Sequence, residues 1–178
     1  MLIETVNLDP DGSDPIPWSR AAEQLAGLQP AGGRRGPRCW LSTTHPAGRP
    51  HVTGAVGHWL DDLLFFVSGP ATRKARKLAL DPRCTFAISL PDLDLVLERF
   101  ASRVTDAITL NRVAHGYDAR GWPLAGTGNL VTASFWVPSA VPPRWHLYAF
   151  TPTVGVGVAT AARAGATRWR LSYSSSTP

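Results

Sequence analysis

From Cys39 onward the chain alternates apolar and polar residues in short runs closed by proline, glycine or aspartate. That period of two is the signature of antiparallel strands. Cys39 to His45 and Pro50 to Trp59 flank the turn residues Pro46-Ala47-Gly48-Arg49 and predict a hairpin whose second strand carries both His51 and His58. Asp61 and Asp62 turn the chain into a strongly apolar strand, Leu63 to Ser68. Arg83 to Leu90 and Leu93 to Val104 read as two more strands about a turn at Pro91 and Asp92, and shorter β runs are expected near 130–137, 145–150, 153–159 and 166–173.

Three stretches carry a helical period instead. Trp18 to Leu28 has apolar residues at 18, 21, 22, 25 and 28. Gly69 to Arg83 begins with the cap residue Thr72, presents Ala75, Leu78 and Ala79 on one face and stops at Pro82. A third helix, capped by Thr105 or Asp106, runs to about Tyr117 with Ile108, Val113 and Ala114 inward. Residues 29–38 and 118–129 read as glycine-containing loops, and residues 1–17 as an arm without periodicity. The expected architecture is α+β but mainly β, a closed or partly closed barrel with peripheral helices, in one domain over residues 18–178.

The stretch from Gly69 to Arg83 changes the picture most. Lys74 and Lys77 are the only lysines in the chain, and Arg73 and Arg76 lie beside them. Cations crowded into the first turns of a helix, where unpaired N–H groups already favour an anion, suggest a phosphate site. A solvated basic face is the competing reading of such a cluster. Arg34, Arg35 and Arg38 in the preceding loop are further candidates for anion contact.

Composition narrows the classes. A chain of 178 residues, 44% hydrophobic and 17% charged, suits one compact domain. Its net charge of +5 arises because residues 119–178 hold five arginines and no acid. Those arginines are dispersed, which favours a small anion over nucleic acid. Cys39 and Cys84 are too few for a disulfide scaffold, no secretory pattern opens the chain, and no apolar run is long enough for a membrane span. A soluble cytoplasmic protein with reduced thiols is expected.

The common catalytic motifs are absent: there is no Gly-x-Ser-x-Gly, no P-loop and no His-Glu-x-x-His, and the five histidines lack zinc-site spacing. No catalytic residue or metal ligand is assigned. An anion-binding helix without acid–base machinery points to a phosphorylated cofactor that brings its own reactivity.

The segments Trp40-Leu-Ser-Thr-Thr44, Gly48-Arg-Pro-His-Val-Thr53, Trp59-Leu-Asp61, Leu64-Phe-Phe-Val-Ser-Gly-Pro70, Arg73-Lys-Ala-Arg-Lys-Leu78 and Asp81-Pro-Arg83 resemble, in order and spacing, the pyridoxamine 5′-phosphate oxidase-like, flavin/deazaflavin oxidoreductase superfamily. The resemblance implies an FMN-binding type of split β-barrel, a homodimer with a cofactor groove between subunits. It places phosphate on Arg73, Lys74 and Lys77, and the ring along His51, Val52, Thr53 and Gly54, with Thr43 contributing. Trp40-Leu-Ser-Thr43 and Arg73-Lys-Ala-Arg76, together with Gly121-Trp-Pro123, are most similar to the branch using the deazaflavin coenzyme F-420. The implied reaction is hydride transfer to an activated double bond of a small organic substrate. FMN in the same fold, and a non-catalytic flavin- or haem-binding protein, are the alternatives. The chain departs from the family pattern at Ala47, Gly54, Lys77 and Arg99. Arg99 stands where relatives have glycine, so it either fills space or supplies a new anion contact.

Overall fold

The computed structural model describes residues 1–9, 12–27, 39–119, 121–133, 144–161 and 165–173. The loop with Arg34, Arg35 and Arg38 therefore lies outside the described residues.

One antiparallel sheet organises the chain, with three helices among the described residues. Cys39–Thr44 (β2) and Pro50–Ala55 (β3) form the expected hairpin, with Cys39 facing Ala55 and Thr44 facing Pro50. The predicted long second strand is broken at Val56, and Gly57–Leu60 (β4) pairs instead with Leu63–Ser68 (β5). His51 and His58 thus belong to different strands. His58 is buried beside Tyr117, their ring centroids 5.1 Å apart, far in role from the β2–β3 hairpin.

Asp61 and Asp62 close the β4–β5 hairpin, with φ of 51° and 60°. Two residues at positive φ make a turn whose twist matches the strands but which favours glycine second. Asp62→Gly should therefore stabilise the protein by about 1 kcal/mol, read as a rise in Tm of about 2–4 °C. A fall would show that the aspartate side chain contributes more than its backbone strain costs.

Arg83–Ser89 (β6) and Leu93–Val104 (β7) follow as predicted, and β7 lies beside the longest strand, Arg144–Ala159 (β10). Two of the short expected runs are one strand here, because the chain passes Thr153 by a register shift rather than a turn. On its other edge β10 pairs with β5 over His146–Phe150 and then with Ala166–Ser172 (β11) over Val154–Val158. This change of partner splits the barrel. Leu124–Thr127 (β8) and Leu130–Ala133 (β9) form a hairpin where a loop is expected over 118–129.

The N-terminal segment is also more ordered than its composition predicts. Leu2–Asn7 (β1) pairs with β11 throughout, so the missing alternation reflects an edge strand exposed on both faces. Ile16 is buried, its N–H donating to Thr167 Oγ1 at 2.8 Å and its carbonyl accepting from Trp169 Nε1 at 2.9 Å.

The helices cover the sheet. Trp18–Ala26 (α1) buries Trp18, Ala21 and Leu25, and Arg20 and Gln24 bind Asp92 at the β6–β7 turn. Ala107–Asp118 (α3) is capped by Asp106, which accepts from the Thr109 N–H, and it buries Leu110, Val113, Ala114 and Tyr117. Ile108, expected inward, is 83% exposed because the helical period puts it on the side of α3 opposite Leu110, Val113, Ala114 and Tyr117. The Tyr117 hydroxyl lies 3.0 Å from the carbonyls of Val56 and Phe65, tying α3 to the break between β3 and β4.

Two cores result, one around Trp18, Trp59, Phe66, Phe86 and Trp169, and one under α3. Trp18, Trp59, Trp145 and Trp169 are core side chains. Cys39 and Cys84 are free and buried, and burial pushes their thiols up to about 11 and about 12. They are therefore poor nucleophiles. No helix is long and apolar enough to cross a membrane, and no cluster of metal-ligating side chains forms, among the described residues.

Candidate functional site

The predicted basic helix is Arg73–Leu80 (α2), delivered directly by β5. Thr72 caps it as expected: its hydroxyl accepts from the Ala75 N–H at 3.2 Å, donates to the Gly69 carbonyl at 2.9 Å and lies 2.7 Å from Ser68 Oγ. Ala75 and Leu78 fasten the helix to the core, whereas Ala79, predicted to join them, is exposed.

Between α2 and the β2–β3 turn lies a groove of about 640 Å³. Arg73, Arg76, Lys77 and Leu80 form one wall, and His45, Arg49, Pro50 and His51 the other. Among the described residues, four cations and no carboxylate line it. The α2 residues recur at spacings of three and four, so the helix presents a single cationic stripe. That stripe is present in the sequence, and Arg76 belongs with Arg73 and Lys77 by the same spacing. Arg49 carries no such signal, since the hairpin places it.

His51 stands directly across from Thr43, so the two side chains share the sheet face next to α2. Thr43 Oγ1 and His51 Nδ1 are both buried and have no hydrogen-bond partner among the described residues. Burial first, then the charges of Lys77, Arg73 and Lys74, hold the His51 imidazole below its ordinary value of 6.5. The neutral form therefore prevails at pH 7. With its folded value depressed, His51 favours the folded state above pH 6.5 and loses that contribution as pH falls through the folded value. Lys77→Ala should raise the His51 value toward 6.5 in an NMR titration, and an unmoved value would mean that burial, Arg73 and Lys74 set it without Lys77.

The predicted ring strand divides between two faces. His51 and Thr53 are partly buried on the α2 side, while Val52, 58% exposed, and Gly54 point outward beside the half-exposed Trp40. β3 is the last strand of its sheet path and, among the described residues, pairs only with β2, which leaves one backbone edge open. Lys74 reaches this edge: its Nζ donates to the Gly54 carbonyl at 3.2 Å, and burial lowers its pKa. The structure thus brings Arg73, Lys77 and His51 together, adds Arg49 and Arg76, and sets Lys74 against β3 rather than in the groove lining.

The family departures can be located too. A Cβ added at Gly54 would meet nothing within 4 Å, and Arg99 lines other clefts, so neither residue fills the groove. The residues fit a phosphate group with a polar, partly aromatic body: cations for the anion, an open strand edge and unpartnered buried polar atoms for the remainder.

No protein-family model matches the chain, and no curated protein does. Solved structures do. A pyridoxamine 5′-phosphate oxidase-related, FMN-binding protein from Nostoc punctiforme PCC 73102 superposes with a TM-score of 0.55 at 16% identity, covering 84% of this chain and 87% of that one. A haem-binding protein from Mycobacterium smegmatis gives 0.53 at 14%, over 82% of this chain and 55% of that one. An F420 reductase gives 0.48 at 18%, over 72% and 93%, below the level at which a shared fold follows. Sheet order, barrel split and the closer superpositions agree that the chain has a split β-barrel fold, shared with the pyridoxamine 5′-phosphate oxidase-related, FMN-binding protein.

Proposed function

We propose that the α2 groove holds the phosphate of a flavin-type redox cofactor and that the protein is a reductase of small organic molecules. The observation that carries this reading is the acid-free groove of Arg49, Arg73, Arg76 and Lys77, set against the open edge of β3. Its volume, about 640 Å³, lies within the range of small-molecule sites. Arg73, Arg76 and Lys77 bind the phosphate oxygens. The free backbone edge of β3 and the unpartnered Thr43 and His51 atoms hydrogen-bond the polar atoms of the ring. Lys74 holds that edge close to α2 through Gly54.

When bound, the reduced ring supplies a hydride to an activated double bond of the substrate. The chain's own part is to bind, to orient and to keep His51 neutral, so that the imidazole can accept a hydrogen bond. No residue is assigned a proton-transfer role. F-420 is the preferred cofactor, supported by the likeness of Trp40-Leu-Ser-Thr43, Arg73-Lys-Ala-Arg76 and Gly121-Trp-Pro123 to the deazaflavin branch. FMN is the alternative, because the groove reads a phosphate rather than a ring. The space left open at Gly54 argues against a member whose ring site is blocked.

A second copy of the chain over the outer face that exposes Trp40 and Val52 completes the reading, since a half-exposed tryptophan on a sheet face is costly in water. Sedimentation of a monomer at all concentrations would remove the dimer from it. The cofactor is tested by titrating the purified protein with F-420 and with FMN and following fluorescence. One of them should bind more tightly than about 100 µM. If neither does, the redox reading fails.

A further inference from the structure

The split in the barrel carries a second cleft, remote in composition from the α2 groove. β10 is paired with β5 up to Phe150 and with β11 from Val154, so Thr151 and Pro152 have a partner on the β7 side only. The β7 ladder shifts at the same place: Pro152 faces Arg99 and Val154 faces Glu98, leaving Thr153 as an extra residue. Bulges of this kind re-aim side chains. Glu98, Arg99 and Phe100 are all exposed in succession, where strict alternation would have turned Arg99 inward between Leu97 and Ala101.

A cleft of about 660 Å³ opens there, lined by Arg99, Phe100, Thr151, Thr153, Arg170 and Tyr173 among others, with no acid among the described residues. Arg99 has no ion pair among the described residues, and its guanidinium lies 4.9 Å from the centre of the Phe100 ring. Among the described residues Arg170 has only a loose pair with Glu4 at 3.5 Å, both side chains more than 60% exposed. Such a pair contributes little and yields readily to a better acceptor. Glu98 lines the adjoining cleft of about 470 Å³ instead. Phe100, 43% exposed, offers an apolar surface beside the guanidinium.

We propose that this cleft binds an organic carboxylate carried on a flat apolar body, with Arg99 and Arg170 taking the carboxylate, Thr151 and Thr153 its remaining acceptor positions, and Phe100 the apolar body. A planar guanidinium over an aromatic ring pairs with carboxylates in a bidentate manner that an ammonium does not offer. The site does not depend on what occupies the α2 groove. It gives Arg99 a role in place of the glycine of the family pattern.

The test uses the full chain and two probes, 2-naphthoate and the uncharged 2-naphthamide, titrated calorimetrically. The acid should bind at least about tenfold more tightly than the amide, and Arg99→Gln should weaken the acid about tenfold while leaving the amide unchanged. Lys77→Ala should bind the acid as the wild type does. Equal affinity for acid and amide overturns the proposal, as does no binding of the acid up to about 10 mM. So does an Arg99→Gln protein that binds it normally, or loss of binding in Lys77→Ala. The acid–amide comparison needs only the wild-type chain, so it tests the site whatever the folding of the variants. The Lys77→Ala arm separates this site from the cofactor groove.

Discussion

Replacing Arg73 and Lys77 together by glutamate should lower the affinity for FMN and for F-420 by about 10²–10⁴-fold while leaving the fold intact. Both side chains line the groove, and neither supplies a buried core atom of α2, whose packing rests on Ala75 and Leu78. A hydrogen bond to a charged group contributes about 1.5–3 kcal/mol, so the loss of two gives about 3–6 kcal/mol before any repulsion between the new carboxylates and the phosphate. Single alanine replacements should each show about half of this on the free-energy scale. The same titration on Lys74→Ala should read differently. Lys74 acts through the Gly54 carbonyl, so its removal should disturb the ring environment more than the phosphate contacts. An unchanged affinity in the Arg73/Lys77 double variant, with native circular dichroism, would place the cofactor elsewhere.

The second large effect is on stability. Trp169→Ala should cost about 3–5 kcal/mol, the range for deleting a buried aromatic, and lower Tm by about 6–20 °C. Trp169 is fully buried and meets Trp18 edge-on with centroids 5.4 Å apart. Gly155 and Gly157 on the neighbouring strand make room for its ring: a Cβ at Gly157 would lie 2.5 Å from it. Its indole N–H donates to the Ile16 carbonyl, so the variant also orphans the anchor of the N-terminal segment. Trp169→Phe keeps most of the apolar volume and loses that hydrogen bond, and should cost less than the alanine variant but more than about 1 kcal/mol. Equal Tm for wild type and Trp169→Ala would mean that Ile16, β1 and β11 are not held as described.

Much of this molecule is legible in its sequence, for reasons that differ by region. The β2–β3 hairpin, β5, α2 and β6–β7 are predictable because each carries a local device: turn residues at 46–49, the Asp61-Asp62 pair, the Thr72 cap and Pro82 stop, and clean alternation. β1 is not, since an edge strand exposed on both faces has no alternation to read. Pro152 and Thr153 divide β10 in the sequence because a bulge and a turn look alike until the partner strand is known. Ile108 reads as inward on its hydrophobicity alone, although the helical period sets it opposite the stripe of Leu110, Val113, Ala114 and Tyr117.

For the site, α2 and its cations are readable from spacing, and the same spacing joins Arg76 to them. Arg49 is not readable, since it joins the groove only once the hairpin folds over the helix. The division of Val52 and Gly54 from His51 and Thr53 is contained in strand alternation, although the ring strand reads as one unit until its two faces are assigned. The second cleft depends wholly on tertiary structure: Arg99 and Arg170 are far apart in the chain and are brought together by β10 changing partners.

Recognition of phosphate by the α2 groove underlies the whole proposal. It is tested most directly by a side-by-side titration of the wild-type protein with FMN and with riboflavin, which share the ring and differ in the phosphate. FMN should bind at least about 100-fold more tightly, as expected for charge-assisted contacts from Arg73, Arg76 and Lys77. Equal affinity for the two would contradict phosphate recognition in this groove.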